Sequence, residues 1–170
     1  MLNFKTISKM INLGPIILLY YLCLSEIDSH FENYFEILSF NIQLIIIYFW
    51  SLKRPEVLGN GHIFFAGLIN DVVMGFPLGI SSLSYLVVSL VATYVKNMTV
   101  NTRITTDWFT FFIAIFFSNL IFFILLSNFS EISISLTEIS YNTFFTLLFF
   151  PFFWFLFTYY NSIITTGRNV

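Results

Sequence analysis

An aspartate inside an apolar stretch is the residue in this sequence with the clearest capacity for chemistry. Asp71 lies between Gly67 and Gly79, in an apolar run that opens at Ile63, and no other ionisable residue follows the first turn of that run. A charge at the centre of a membrane helix costs about 2.5–3.5 kcal/mol on an insertion scale, so such a carboxylate needs a partner, a wet cavity or a proton. Together with Asn70 it is a candidate coupling, ligand or partner site. The alternative is a carboxyl near a helix end that hydrogen-bonds a neighbouring helix or water.

The element that must position Asp71 is a helix with one polar and one apolar face. At 100° per residue the polar face is predicted to look into a helix bundle, because it carries the carboxyl, an amide and a glycine. Its members are Ile63, Phe64, Gly67, Asn70, Asp71 and Met74, and the lipid-facing residues are Phe65, Ile69, Val72 and Val73.

Glycines recur along the same helix, and a glycine- and proline-containing segment follows it. Gly67, Asp71 and Gly75 are spaced by four, which predicts a shallow stripe for close helix packing. After Gly75, the sequence Phe-Pro-Leu-Gly to Gly79 predicts a tight hairpin, because proline stops a helix and glycine adopts unusual dihedral angles.

Composition places this helix in a membrane protein. The 170 residues are 58% hydrophobic and only 9% charged, with 24 phenylalanines. A soluble domain of this size lacks the polar side chains to cover so much apolar surface. The sequence predicts an all-α bundle of six transmembrane helices in a single integral membrane domain, residues 1–170. The predicted helices are residues 11–25, 37–52, 63–75, 80–95, 108–126 and 139–160.

The charges predict how the chain crosses the bilayer. If the N-terminus is cytoplasmic, six spans place all seven Lys and Arg residues on the cytoplasmic side, as the positive-inside rule requires. Both termini are then cytoplasmic. The opposite side receives only acids among the charged residues: Glu26, Asp28, Glu32, Glu36, Glu131 and Glu138. Trp50, Trp108, Tyr159 and Tyr160 are predicted at cytoplasmic helix ends, where aromatic rings favour the interface.

Other polar residues inside the apolar segments are predicted to join helices. Ser82, Ser89 and Thr93 share a face of the fourth helix with hydroxyls suited to bonds between helices. Asn119 is predicted to reach Asp71 if the fifth helix adjoins the third.

The residues that several classes of function require do not occur in this sequence. There is one cysteine, Cys23, and the two histidines, His30 and His62, have no ligand spacing around them. Neither a catalytic triad, a phosphate-binding glycine loop nor a basic stripe for nucleic acid occurs. The sequence therefore predicts no enzyme, no cofactor, no metal and no nucleic-acid partner.

The central stretch resembles the rod shape-determining protein MreD family. The resemblance is carried by an aromatic followed by Gly67-Leu, Asp71 four residues after that glycine, Gly75 four further on, and the Pro77-Leu-Gly79 turn. It extends over about residues 54–86, including the preceding Arg54-Pro55, and the remainder agrees in hydropathy. The residues that match the motif are Gly67, Asp71, Gly75, Pro77 and Gly79, and Asn70 lies beside them.

The resemblance implies a non-enzymatic component of the bacterial inner membrane. It implies a scaffold in the elongation machinery that builds the lateral peptidoglycan wall, with MreC, a single-span protein, as partner. It also implies indirect contact with actin-like MreB and the wall-synthesis enzymes. The implied bundle is like that of the membrane subunits of energy-coupling-factor transporters, and the motif is expected to serve helix packing or partner contact.

Two other functions remain open from the sequence. One is a small-solute-binding membrane subunit of a transporter, with a pocket around Asn70, Asp71 and Asn119. The other is an intramembrane enzyme, for which no nucleophile–base pair or metal set is identifiable. Depletion separates the first two functions, since round, swollen cells indicate the scaffold and a nutrient auxotrophy indicates the carrier.

Overall fold

The computed structural model describes residues 4–25, 40–99, 103–129 and 136–166. Within these ranges the protein is all-α and contains no strand, which confirms the predicted class. The six helices are α1 (Phe4–Leu24), α2 (Ile42–Lys53), α3 (Asn60–Met74), α4 (Ile80–Met98), α5 (Ile104–Phe129) and α6 (Leu136–Thr166).

The axis of the bundle is α2, which the other five helices surround. Every residue from Leu44 to Leu52 is buried, so this helix has no outward face. The surrounding helices contact one another in the circular order α1, α3, α4, α5, α6. A helix that is apolar on all sides belongs inside a protein, and the run of isoleucines and aromatics in α2 has that composition.

Consecutive helices alternate in direction, and side-chain contacts fix the two ends of the bundle. At one end the backbone N–H of Asn41 donates to Thr146 Oγ1 of α6 over 2.9 Å. At the other end Lys53 pairs with Asp107 in the first turn of α5. The C-terminal end of α2 therefore lies beside the N-terminal end of α5, and the α3–α4 hairpin lies at the opposite end.

Helix boundaries differ from the predicted ones where local capping decides. The helix predicted over 37–52 begins at Ile42, because Asn41 Oδ1 accepts from the Leu44 N–H over 3.2 Å and caps it. Residues 37–39 lie outside the described ranges. The helix predicted to span 139–160 extends from Leu136 to Thr166 through Pro151. Helices α1, α3 and α5 begin seven, three and four residues earlier than predicted, and α4 begins at Ile80 as predicted.

Among the described residues, two helices are long and apolar enough to cross a membrane: Ile104–Phe129 and Leu136–Ile163. Leu13–Leu24 and Ile42–Lys53 are apolar but shorter than the roughly 20 residues that a bilayer core requires. The outer surfaces of α5 and α6 carry large exposed apolar side chains, as expected of surfaces that face lipid. They include Phe109, Phe112, Phe116, Phe144, Phe152 and Phe155.

Basic side chains lie at one end of the bundle. Lys53 is the last residue of α2 and Arg54 follows it, Lys96 lies in the last turn of α4, and Arg103 directly precedes α5. Glu138 begins α6 at the opposite end. The other charged side chains used in the topology prediction lie outside the described ones: Lys5, Lys9, Glu26, Asp28, Glu32, Glu36, Glu131 and Arg168.

Candidate functional site: a locked hairpin and a buried ion pair

The α3–α4 hairpin is shaped by two glycines with positive φ. Gly75 ends α3 in the left-handed region at φ 69°, and its N–H donates to the carbonyl of Asp71. The N–H of Phe76 donates to the same carbonyl over 2.9 Å. Gly79 precedes α4 at φ 105°, which only glycine adopts readily. With Pro77 between them, these residues reverse the chain within five positions.

The Asp71 side chain is fully buried and binds the beginning of α4. Its Oδ2 accepts from the Gly79 N–H over 2.7 Å, and its Oδ1 accepts from the Ser81 N–H over 2.8 Å. The first N–H groups of a helix have no partner within it, and the helix dipole makes that end favourable for an anion. Asp71 therefore caps α4 from α3, and both oxygens of its carboxylate are engaged.

Two further contacts draw the helices together beside this carboxylate. Asn70 Nδ2 donates to Ser81 Oγ over 3.1 Å, and Ser82 Oγ donates to the Phe64 carbonyl over 3.0 Å. At Gly67 a Cβ atom would lie 2.4 Å from Ser82 Cα, and backbone cannot yield as the tip of a flexible side chain can. Gly67 therefore lies where the backbones of α3 and α4 approach closely.

The predicted stripe and the predicted face need correction at particular positions. A Cβ at Gly75 would meet no atom within 4 Å, so this glycine ends α3 and does not pack against a neighbouring helix. Ile63, Gly67, Asn70 and Asp71 are buried as predicted. Phe64 and Met74 are exposed, and Ala66 is buried in their place, so the inward face is turned slightly from Phe64 toward Ala66.

Asn119 does not join Asp71. Its Nδ2 donates to Thr143 Oγ1 of α6 over 2.6 Å, on the α5–α6 side of the bundle. Asp71 and Asn70 both bind the beginning of α4, through Gly79 and Ser81, whereas Asn119 binds α6, so the three polar groups of the expected solute pocket do not converge on one site.

The fourth-helix hydroxyls join helices or bond back to their own backbone. Ser51 Oγ of α2 donates to Ser89 Oγ over 3.1 Å, and Ser89 donates to Asn60 Oδ1 of α3 over 3.0 Å. Thr93 Oγ1 donates to the Ser89 carbonyl one turn back. This chain of bonds connects the axial helix to the α3–α4 pair.

A second buried carboxylate, Asp107, was not identified from the sequence. Its side chain is fully buried, and Oδ2 lies 3.2 Å from Lys53 Nζ and 3.0 Å from the indole nitrogen of Trp154, which donates to it. The Lys53 ammonium also lies 5.8 Å from the centre of the Trp154 ring. The other oxygen, Oδ1, has no hydrogen-bond partner among the described residues. Three helices, α2, α5 and α6, thus meet at one ion pair.

A sequence signal for this site existed in the charge pattern. Asp107 is an acid on the side where positive charge was predicted, beside basic Lys53 and Arg103. An acid among basic residues at a helix end suggests an ion pair, whereas its partner helices depend on tertiary packing.

We expect Asp107→Asn to lower the free energy of unfolding by about 2 kcal/mol. The amide keeps an oxygen for the Trp154 indole but removes the negative charge that lies 3.2 Å from the Lys53 ammonium, which is only 22% exposed. Denaturation in mixed micelles measures the change. Glu56→Gln is the control, because that carboxylate is 63% exposed, its pair with Arg54 is 3.9 Å long, and exposed pairs contribute little. An Asp107→Asn protein as stable as the control would contradict the role of the ion pair.

Metal-ligand geometry is absent from the described part of the chain, in which no three His, Cys, Asp or Glu side chains converge. The polar groups at both sites instead bind backbone, serine, lysine and tryptophan partners of the same chain. The arrangement is that of a packed helical membrane protein whose buried polar residues hold helices in register.

Comparison with known proteins identifies the family. The family model described as rod shape-determining protein MreD matches residues 7–161. The chain therefore belongs to the rod shape-determining protein MreD family, which confirms the resemblance seen in the sequence and supports a role as a shape-determining membrane protein. Neither the comparison with curated proteins nor that with solved structures found a match.

Proposed function

We propose that this protein is a non-enzymatic scaffold of the machinery that elongates the rod-shaped bacterial wall. Its expected partners are a single-span protein of the MreC type and, indirectly, actin-like MreB and the peptidoglycan-synthesis enzymes. The single observation that carries the proposal is the MreD family match, which covers nearly the whole chain. The bundle would contribute a rigid membrane surface on which partners assemble.

The geometry of the motif supports a scaffold more than a carrier. A solute pocket needs polar groups that converge on open space, whereas Asp71, Asn70 and Asn119 are each bonded to groups of the protein itself. The contacts of the motif residues thus favour a role in holding the helices together over a role in binding a solute.

The scaffold is proposed to lie in the bacterial inner membrane as one domain, residues 1–170, with six spans and both termini cytoplasmic. The support is that Lys53, Arg54, Lys96 and Arg103 lie at one end of the bundle, as the positive-inside rule expects of a cytoplasmic face. The likeness to energy-coupling-factor membrane subunits stays a prediction.

Cysteine labelling tests this orientation. In a Cys23→Ala background, Leu78→Cys in the hairpin should react with a membrane-impermeant maleimide from the outer face of the inner membrane, because Leu78 is 70% exposed. Gly59→Cys, in the connection before α3, should react only after the membrane is opened. The reverse pattern would contradict the orientation.

Depletion tests the function itself. Cells of the source bacterium that lose this protein should become round and swollen, and a plasmid copy should restore rods. A tagged copy should also co-purify with the MreC-type partner from native membranes. Rod-shaped cells that instead require a nutrient would contradict the scaffold and indicate the carrier.

A further inference from the structure

The sixth helix passes through a proline without ending. Pro151 lies inside α6, which continues from Leu136 to Thr166. In an α-helix each N–H donates to the carbonyl four residues earlier, and proline has no N–H. The carbonyl of Leu147 therefore loses the donor that an ordinary residue at position 151 would supply.

A donor from another helix reaches this carbonyl. The indole nitrogen of Trp108, near the beginning of α5, donates to Leu147 O over 3.0 Å. The indole N–H is the only hydrogen-bonding group of a tryptophan side chain, and the group that it binds here is the one that Pro151 leaves without a helical partner.

We propose that Trp108 replaces the hydrogen-bond donor that Pro151 removes from α6, and so fixes the proline-containing segment of α6 against α5. Backbone carbonyls at membrane depth lack water, so a proline in such a helix is tolerated when a neighbouring group satisfies the carbonyl that it frees. This assignment is independent of the scaffold function and concerns how two helices are joined.

A second indole bond fixes the helix on the other side of the proline. Trp154, three residues after Pro151, donates to Asp107 Oδ2 over 3.0 Å. Asp107 and Trp108 are adjacent in α5, so neighbouring residues of one helix bind α6 before and after the proline. The two bonds together hold α6 against α5 on both sides of the proline, and the Trp154 ring also lies 5.8 Å from the Lys53 ammonium at the end of α2.

A double-mutant cycle tests the proposal by its coupling. With Pro151 present, Trp108→Phe should raise the unfolding equilibrium constant about tenfold, because it leaves the Leu147 carbonyl without a donor. In a Pro151→Ala background the new N–H at position 151 binds that carbonyl, so the same substitution should change the constant less than about twofold. Phe109→Leu, on the exposed surface of the same turn, is the matched control and should have little effect in either background.

Equal effects of Trp108→Phe in both backgrounds, or none with Pro151 present, would overturn the proposal. A second measurement decides the matter if Pro151→Ala does not fold. The protein has three tryptophans, so its indole N–H resonances can be assigned by single substitutions. The Trp108 indole proton should exchange slowly with solvent in the unmodified protein, and fast exchange would equally overturn the assignment.

Discussion

Gly67→Ala is expected to lower the free energy of unfolding by about 2–3 kcal/mol, as overpacking of a tight contact does. The added Cβ would lie 2.4 Å from Ser82 Cα and 2.5 Å from Ser82 N, so α3 and α4 must separate. The separation also strains the bonds that Ser82 and Asp71 make between the helices. Thermal or denaturant unfolding in detergent measures the loss, and a larger residue such as leucine should prevent folding.

The same helix offers a matched control for Gly67. Gly61 is also in α3, but a Cβ there meets nothing within 4 Å. Gly61→Ala should be neutral or stabilising by up to about 1 kcal/mol, since alanine favours a helix over glycine. Equal changes in the free energy of unfolding for Gly67→Ala and Gly61→Ala would contradict the claim that close approach at Gly67 holds the hairpin.

Asp71→Ala is expected to cost about 3 kcal/mol, because it leaves the half-buried N–H of Gly79 and the buried N–H of Ser81 without acceptors. It also removes the negative charge from the N-terminal end of α4. The measurement is again unfolding in detergent, paired with the shape of cells that carry the variant as their only copy. Loss of rods should follow loss of folded protein.

Ser81→Ala is the control for Asp71. It removes the hydroxyl that Asn70 binds but keeps the backbone N–H that Asp71 binds, so a loss of about 1 kcal/mol is expected. An Asp71→Ala protein that folds as stably as wild type but no longer supports rods would contradict the capping role. That result would make Asp71 a contact for a partner.

The family and the fold class could be predicted from the sequence because they depend on local signals. Apolar segments, their separation by glycine and proline, and the Gly-Asp-Gly spacing all lie within short stretches of chain. The inward direction of Asp71 followed from helical periodicity and from the cost of a carboxylate in lipid. The alternative in which this carboxyl hydrogen-bonds a neighbouring helix agrees with the structure. Its particular donors, the N–H groups of Gly79 and Ser81, could not be predicted, because they depend on the distance that two hairpin glycines create between α3 and α4.

The central position of α2 and the Asp107 site depend on tertiary packing. The sequence does not distinguish the nine buried residues of α2 from a segment that faces lipid, because helices that face lipid and helices that face protein share an apolar composition. Trp108 was assigned to an interface by its ring alone, whereas its indole is bonded to α6. The proposed contact of Asn119 with Asp71 was wrong because sequence does not give the neighbours of a helix.

Both buried carboxylates hold helix ends in place. Asp71 joins α3 to α4 at the hairpin end, and Asp107 joins α2, α5 and α6 at the other. Such internal bonds hold the described helices in a defined arrangement, which the proposed scaffold would need in order to present the same contacts to each partner.

Amide hydrogen exchange at Gly79 and Ser81 tests the central claim most directly, namely that the Asp71 carboxylate caps α4. In the wild-type protein these two N–H groups should exchange slowly, and in Asp71→Ala they should exchange at least about tenfold faster while amides in the middle of α5 stay unchanged. Unchanged exchange at Gly79 and Ser81 would contradict the claim.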